Sequence, residues 1–287
     1  MVAEVLEFLK IDPDGAYIDA TLGTGGHAEA ILEVLSNGRG RLLGIDRDAT
    51  ALAVARERLQ RFSKKLMVAE GNISELARLH ESSGLGPAAG VLADLGLSSL
   101  QLGEASRGFS FDLEGPLDMR MGRGGVTAEE FVNRMPEPDL ANLIYELGEE
   151  RHSRRVARAI VKARPIRTTT ELAQVVTRAI PSRAGLHHHH PATRTFLALR
   201  LAVNRELESL AAFLPQAVEV LAPGGRLVTL SYHSLEDRII KRALQQYARE
   251  GQTQTLTRHV VRPSEEEVRS NPRARSARLR AAEKQGQ

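Results

Sequence analysis

The chain reads as an α/β protein: a parallel sheet of βαβ units into which a helical segment is inserted. Three observations predict this. Short apolar runs alternate with amphipathic stretches over residues 16–97. That rhythm stops from Ser98 to about Leu221, where helical patterns dominate. A further apolar run, Arg226-Leu227-Val228-Thr229-Leu230, then resumes the sheet. Strand and helix in alternation imply right-handed crossovers.

In order, residues 16–20 form the first strand and 28–35 the first helix. Residues 41–46 form the second strand, followed by a helix over 49–62 with Leu52, Ala55, Leu59 and Phe62 at helical spacing. The third strand covers 66–69, a short helix 75–82, and the fourth strand 90–94. A loop rich in Gly, Asp and Ser spans 98–125. Helical patterns then cover 128–134, 139–164, 170–180 and 193–221. After the fifth strand come a helix over 235–249 and a strand over 255–261. The basic tract from Arg269 to Arg280 is either a disordered tail or ends in an antiparallel strand over 275–280. The expected organisation is one α/β domain, residues 1–102 and 206–287, and an inserted helical, basic domain over 103–205.

Composition narrows the classes of function. The 287 residues are 42% hydrophobic, and no run approaches the roughly 20 apolar residues of a membrane span. Met1-Val2-Ala3-Glu4 puts an acid where an export signal carries basic residues, so a cytoplasmic location is expected. The chain has no cysteine, which excludes disulfides, thiolate metal sites and a cysteine nucleophile. With no Trp and 4% aromatics, a surface built mainly on base stacking is disfavoured. The net charge of +3 hides a division. Residues 151–205 hold twelve Lys or Arg and one acid, Glu171, a net +11, which leaves 27 basic and 35 acidic residues elsewhere, a net −8. A solvated face normally mixes both signs, so the excess points to a polyanion such as nucleic acid.

The cofactor end of the sheet is legible in Asp19-Ala20-Thr21-Leu22-Gly23-Thr24-Gly25-Gly26-His27. Glycines at a strand-to-helix turn permit positive φ and close approach of a ligand, and the helix N-terminus adds oriented N–H groups. Asp46 ends the second strand, where a carboxylate can accept from both hydroxyls of a ribose, and Asp94 ends the fourth. A nicotinamide dinucleotide would favour G-x-G-x-x-G and no acid before the turn. Here the order is G-x-G-G-H, and Asp19 would repel a pyrophosphate while suiting an amino group and a sulfonium. S-adenosylmethionine is therefore preferred. The other readings are a nicotinamide-dependent dehydrogenase and an RNA-binding assembly factor that leaves RNA unmodified.

Longer motifs are more specific than the glycine turn. They include Gly44-Ile45-Asp46-Arg47-Asp48, Ala93-Asp94-Leu95-Gly96-Leu97-Ser98-Ser99, Arg107-Gly108-Phe109-Ser110-Phe111 and Gly115-Pro116-Leu117-Asp118-Met119-Arg120-Met121. Further on stand Gly148-Glu149-Glu150-Arg151, His190-Pro191-Ala192-Thr193-Arg194-Thr195-Phe196, Ser231-Tyr232-His233-Ser234-Leu235-Glu236-Asp237-Arg238 and Arg262-Pro263-Ser264-Glu265-Glu266-Glu267. With these residues the chain resembles, nearly end to end, the ribosomal RNA small-subunit methyltransferase H family. The resemblance implies a class I methyltransferase Rossmann-like sheet and transfer from S-adenosylmethionine to N4 of a single cytidine in 16S rRNA. It also implies that Gly25, Gly26 and His27 contact the cofactor, that Asp46 holds its ribose, that Ile73 packs near the adenine, and that Asp94 and Gln101 complete the pocket. Ile73 stands where relatives often carry an aromatic. The family's usual His-x-Pro opening precedes the position of Met1, and the family has one His before Pro191 where this chain has four, His187 to His190.

The remaining candidates come from spacing. Arg151, Arg154, Arg155, Arg158 and Lys162 fall on one helical stripe opposite Val156, Ala159, Ile160 and Ala163, and are read as phosphate-facing together with Arg194. Consecutive histidines diverge, so His187 to His190 are read as an exposed loop, and no metal is required. Ser234 is expected to cap the helix after the fifth strand, with Glu236 and Asp237 in its first turn. His233 has a structural and a substrate role open to it. The acceptor of the N4 proton is not identified: the Asp94 carboxylate, the Leu95 carbonyl and the Ser98 hydroxyl are the candidates.

Overall fold

The computed structural model describes residues 1–181 and 190–286. In chain order the elements are α1 (Val2–Leu9), β1 (Ala16–Asp19), α2 (Gly26–Leu35), β2 (Arg41–Asp46), α3 (Ala49–Arg58), β3 (Leu66–Glu70), α4 (Leu76–Ser83) and β4 (Ala88–Asp94). There follow α5 (Ser99–Gly103), α6 (Ala128–Arg134), α7 (Glu137–Gly148), α8 (Ser153–Ala163), α9 (Thr169–Ala179) and α10 (Thr193–Asn204). The chain then returns through α11 (Glu206–Val220), β5 (Leu221–Ser231), α12 (Ser234–Arg249), β6 (Thr253–Thr255), α13 (Glu265–Ser270) and β7 (Arg278–Lys284). Two compact units result, Met1–Gly96 with Leu207–Gln287, and Leu97–Glu206. The expected break after residue 102 moves back to Gly96, because Leu97 and Leu102 pack on the apolar core of the second unit.

The first unit is built on a sheet of order β3-β2-β1-β4-β5-β7-β6. Strands β1 to β5 run parallel, and β7 is antiparallel to both β5 and β6. Successive residues face opposite layers. Tyr17 and Leu42 join the core beneath α1, α2 and α3, whereas Ile18 and Leu43 join the core beneath α4, α11 and α12. Both faces are covered, which is why the strand sequences read as apolar runs with no polar alternation.

The second unit gathers α6 to α10 around Val132, Leu140, Ile144, Val156, Ile160, Leu172, Val176 and Leu199. Two stretches that read as single helices are broken here. The chain leaves α7 with Glu149 at φ 50° and leaves α10 with Arg205 at φ 47°, left-handed conformations that end a helix whatever the hydrophobic spacing. The Gly- and Asp-rich stretch before α6 has no regular structure over residues 108–127, yet Phe109, Leu117, Met119 and Met121 are buried in this core. Side chains, with scattered backbone bonds such as Met119 N–H to the Arg107 carbonyl at 3.0 Å, hold it in place of a ladder. Asn204 accepts from the Met121 N–H at 2.8 Å and donates to the Met119 carbonyl at 2.7 Å, while Arg107 donates to the carbonyls of Arg120 and Met121, each at 3.1 Å.

The C-terminal segment resolves to a strand, starting later than expected: a 3₁₀ turn covers Pro272–Ser276, and β7 begins at Arg278. Of the strand expected over 255–261, only Thr255 at the end of β6 and an isolated bridge from Val261 to Leu279 are present. Among the described residues no helix is long and apolar enough to cross a membrane.

Asn204→Ala is expected to lower stability by about 2 kcal/mol, since it removes the side-chain acceptor of the Met121 N–H and the donor to the Met119 carbonyl. A thermal scan checks this, and limited proteolysis should show earlier cleavage within residues 108–125. A midpoint unchanged from wild type would show that the asparagine does not hold this segment.

Candidate cofactor and methyl-transfer site

The strand order reverses between β1 and β4, since the chain passes from β1 outward to β2 and β3 and then returns to the other side of β1. Open α/β sheets take ligands outside the carboxyl ends of their strands at such a reversal. Asp19 is level with Gly44 on β2 and Leu92 on β4. Asp46 and Asp94 therefore lie two residues farther along their strands, with the same side-chain parity as Asp19. The three aspartates expected at strand ends thus share one edge of the sheet.

Their hydrogen bonds differ. Asp19 is 1% exposed and accepts the Thr21 N–H at 3.1 Å. Burial, with the charges of Asp94 and Asp46, pushes its carboxyl up to about 7. Asp46 accepts from the Gly23 N–H at 2.7 Å and the Asp48 N–H at 2.9 Å, and burial still leaves it raised. Asp48 is consumed as the N-cap of α3, accepting from the N–H of Thr50. Asp94 is also raised by burial. Its Oδ1 accepts the Tyr232 hydroxyl at 2.8 Å, its Oδ2 lies 3.4 Å from His27 Nδ1, and its N–H donates to Thr21 Oγ1 at 2.6 Å.

His27 sits in the first turn of α2. Burial holds it below the usual histidine value despite the pull of Asp94, so the imidazole is neutral near pH 7. An Nδ1–H directed at Asp94 leaves Nε2 as an acceptor, and that atom is buried with no partner among the described residues. Gly25 is the residue before α2, at φ 87°, and no side chain caps the helix. A Cβ there would stand 2.9 Å from Leu59 Cδ1, so both the left-handed backbone and the contact select glycine. Ile73 opens a 3₁₀ turn after β3, half-buried and capped through Asn72. Gln101 belongs to the second unit, buried on α5, where its Oε1 accepts the Ser98 N–H at 3.1 Å while Ser98 Oγ accepts the Gln101 N–H at 3.2 Å.

Three residues of this edge escaped the sequence reading: Thr21, Tyr232 and the carboxylate role of Glu236. Asp94 is level with Leu230, so Tyr232 lies just past the level of Asp94 on the neighbouring strand; the adjacency of β4 and β5 was the missing signal. Ser234 is the first residue of α12, and the capping position falls to His233, which makes no side-chain cap. Glu236 is 2% exposed: it accepts the Tyr232 N–H at 3.2 Å and lies 3.2 Å from His233 Nε2. Its role is more than that of a first-turn acid beside the helix dipole. Asp237 pairs with Arg280 at 2.7 Å and with Arg278 at 3.9 Å, so that part of the C-terminal basic tract is engaged within the fold.

The basic candidates lie in the second unit. Arg154, Arg155, Arg158 and Lys162 are exposed along α8, over buried Val156 and Ile160. Arg151 is exposed in the turn before the helix, off the expected stripe, and Ala163 at the helix end is exposed rather than facing a core. Arg158 lies 3.5 Å from Glu137; among the described residues no carboxylate pairs with Arg151, Arg154, Arg155 or Lys162. Arg194 donates to the Glu149 carbonyl at 3.2 Å and lies 3.8 Å from buried Glu150, so it braces the α7–α8 junction. His190 stacks on Phe111 at 4.5 Å, and His187 to His189 lie outside the described residues.

The donor set suits a cationic, hydroxyl-bearing ligand. Among the described residues no Lys or Arg is paired with Asp19, Asp46 or Asp94, and each is raised by burial. A bound ammonium or sulfonium would relieve that penalty, whereas a pyrophosphate would increase it. A stability effect follows for the free protein. Between about pH 4 and 7 the unfolded Asp19 has lost its proton while the folded one keeps it, so stability falls as pH rises through that window. Asp19→Asn keeps an acceptor for the Thr21 N–H and removes the charge. It is expected to match wild type near pH 4 and to melt several degrees higher at pH 8, on the order of 2–4 °C per kcal/mol. Equal shifts at both pH values in calorimetry would sink this account.

A family model described as the MraW methylase family matches residues 1–285. Proteins named ribosomal RNA small subunit methyltransferase H are similar over nearly their whole length. The one from Pelobacter propionicus is 48% identical, covering 99% of this chain and 97% of that protein. The Bradyrhizobium diazoefficiens protein is 50% identical, with 98% and 89% covered. That of Acidobacterium capsulatum is 49% identical, with 99% and 97% covered. With the strand order and the paired helix layers, this likeness has one reading: the chain belongs to the MraW methylase family, and its seven-stranded unit has the class I S-adenosylmethionine-dependent methyltransferase fold.

Proposed function

We propose that the protein is a cytoplasmic methyltransferase that modifies the exocyclic N4 amine of one cytidine in the 16S rRNA of the small ribosomal subunit. The observation that carries this reading is the edge of three carboxylates at the strand reversal, Asp19 buried and Asp46 and Asp94 half-buried, with no Lys or Arg paired to them among the described residues, in a chain of a methylase family. The relatives' name supports the substrate class. Attack through C5 of a pyrimidine normally needs a cysteine to add at C6, and this chain has none.

Each residue has a part. Asp46 takes the ribose hydroxyls: each of its oxygens accepts one backbone N–H and retains a lone pair. Gly25 and Gly26 let the cofactor approach the start of α2, and the free Nε2 of His27 offers it an acceptor. Ile73 packs near the adenine. When bound, S-adenosylmethionine supplies an electrophilic methyl group. The N4 lone pair is delocalised into the cytosine ring, so an acceptor for its N–H groups sharpens it and takes the proton it sheds on gaining a methyl. We assign that acceptor to Asp94. Ser98 is the weaker candidate, its oxygen already taken by the Gln101 N–H. Most of the remaining acceleration comes from holding nucleophile and methyl group in line.

The cytidine must be unstacked to reach the crevice, which suits a single-stranded loop. Arg151, Arg154, Arg155, Arg158 and Lys162 supply phosphate contacts, aided by Arg194, and His233 stands near the target base.

Mass spectrometry of 16S rRNA from a deletion strain is expected to lose N4-methylcytidine, restored by the gene. Its retention in the deletion would refute the assignment. Asp46→Ala should weaken S-adenosylmethionine binding at least tenfold in calorimetry with RNA affinity unchanged; unchanged cofactor affinity would remove Asp46 from the pocket. Replacing Arg154 and Arg155 with Ala should reduce the salt slope of RNA binding by roughly one to two, since each lost phosphate contact releases fewer counterions. A slope equal to wild type would place the RNA elsewhere.

A further inference from the structure

The Tyr232 side chain makes two kinds of contact with the end of β4. Its hydroxyl donates to Asp94 Oδ1 at 2.8 Å, and its ring lies against Gly96, where a Cβ would stand 3.3 Å from Tyr232 Cδ2. Gly96 has φ 106°, a conformation that favours glycine, so the turn after Asp94 is shaped to receive the ring. The Tyr232 N–H is fixed in turn by the buried Glu236 carboxylate at 3.2 Å. One tyrosine thus joins the ends of β4 and β5 and the first turn of α12.

We infer that Tyr232 is a positioning residue for methyl transfer, its phenol holding the Asp94 carboxylate as an aimed acceptor and its ring bracing the turn that carries it. This rests on the reading of Asp94 as acceptor for the N4 amine. A carboxylate half-withdrawn from water, as Asp94 is, tends to hold a proton, and a protonated carboxyl no longer accepts one from an amine. A hydrogen bond donated to the charged form opposes that tendency. The groups that act on Asp94 come from every side: His27 from α2, Tyr232 after β5, Glu236 from α12, Asp19 from β1 and the Met1 amino group. Asp19 and Glu236 are acids and favour protonation. His27 and the Met1 amino group favour the charged form through their charge; the Tyr232 hydroxyl favours it through a hydrogen bond to Oδ1, which also fixes the direction of the carboxylate. A phenol suits this task, because burial and the neighbouring carboxylates raise it far above neutrality and it keeps its proton throughout.

The test is Tyr232→Phe, which keeps the ring on Gly96 and removes the hydroxyl. In cofactor-free protein with ¹³C-labelled aspartate carboxyls, the Asp94 signal, assigned by its loss in Asp94→Asn, is expected to titrate about one pH unit higher in the variant. In turnover with small-subunit rRNA the acidic limb of kcat should move up equally. That gives an approximately tenfold loss below the limb and recovery toward wild type at higher pH. The melting temperature should stay within a degree or two of wild type. A loss equal at every pH, or an Asp94 titration that does not move, overturns the inference. Tyr232→Leu, lacking hydroxyl and ring, should lose activity without recovery at high pH; recovery would overturn the bracing by the ring. A wild-type protein inactive on rRNA would overturn the functional reading and the role in transfer. The shift in cofactor-free protein would still support the hold on Asp94, so the two failures are told apart.

Discussion

The site depends on the burial of carboxylates where the strand order reverses. Removing an ionised carboxylate from water is strongly unfavourable unless hydrogen bonds or a counter-charge compensate. At this edge the compensation is mostly neutral: backbone N–H groups of Thr21, Gly23 and Asp48, and the hydroxyl of Tyr232. Among the described residues no Lys or Arg pairs directly with Asp19, Asp46 or Asp94, although the charges of Arg47 and of the Met1 amino group lower Asp46 and Asp94 somewhat. The edge is therefore left electrostatically incomplete, a state a cationic ligand corrects.

Rigidity around the edge comes from the sheet. Tyr17 and Ile18 send their side chains into opposite layers, as do Leu42 and Leu43, so each strand bearing an aspartate is gripped on both faces. Thr21 then ties two strand ends, since its N–H reaches Asp19 and its Oγ1 receives the Asp94 N–H. Carboxylates on such strands keep their spacing when solvent or ligand changes, a condition for catalysis by alignment. The second unit uses its charges differently. Glu171, the single acid of residues 151–205, is spent on capping α9 through the N–H groups of Arg167 and Thr168. The exposed arginines of α8 are left with little internal neutralisation, consistent with a polyanionic partner.

Much of this was legible in the amino-acid order. The strands announce themselves because both faces are buried, and Asp19, Asp46 and Asp94 stand out because a charge ending an apolar run is conspicuous. The helix breaks at Glu149 and Arg205 were not visible, since residues that are neither Gly nor Pro gave no stop signal and the apolar spacing continued through them. The packed stretch before α6 was unreadable for a related reason: side chains such as Asn204, distant in sequence, hold it, and no period records them. Tyr232 was missed because its importance lies in being next to β4, and pairing between distant strands leaves no local trace.

The carboxylates of this edge are also made unequal. Asp19 has the Thr21 N–H and side chain for compensation and is carried to about 7, so near neutrality it exchanges its proton readily. Asp46 has two backbone donors, and Asp94 has a phenol on one oxygen and an imidazole near the other. Sites that separate the protonation of neighbouring acids divide labour between them. An acid poised at neutrality suits meeting a cation, because it ionises as the cation arrives and reprotonates as it leaves. An acid clamped by a donor suits receiving a proton from an amine, because its lone pairs are aimed before the substrate enters. Under the proposed function, these two environments suit Asp19 to tuning the binding of a charged cofactor and Asp94 to serving the nucleophile. The difference between them arises from what stands opposite each: the N–H and side chain of Thr21 for Asp19, and Tyr232 with His27 for Asp94.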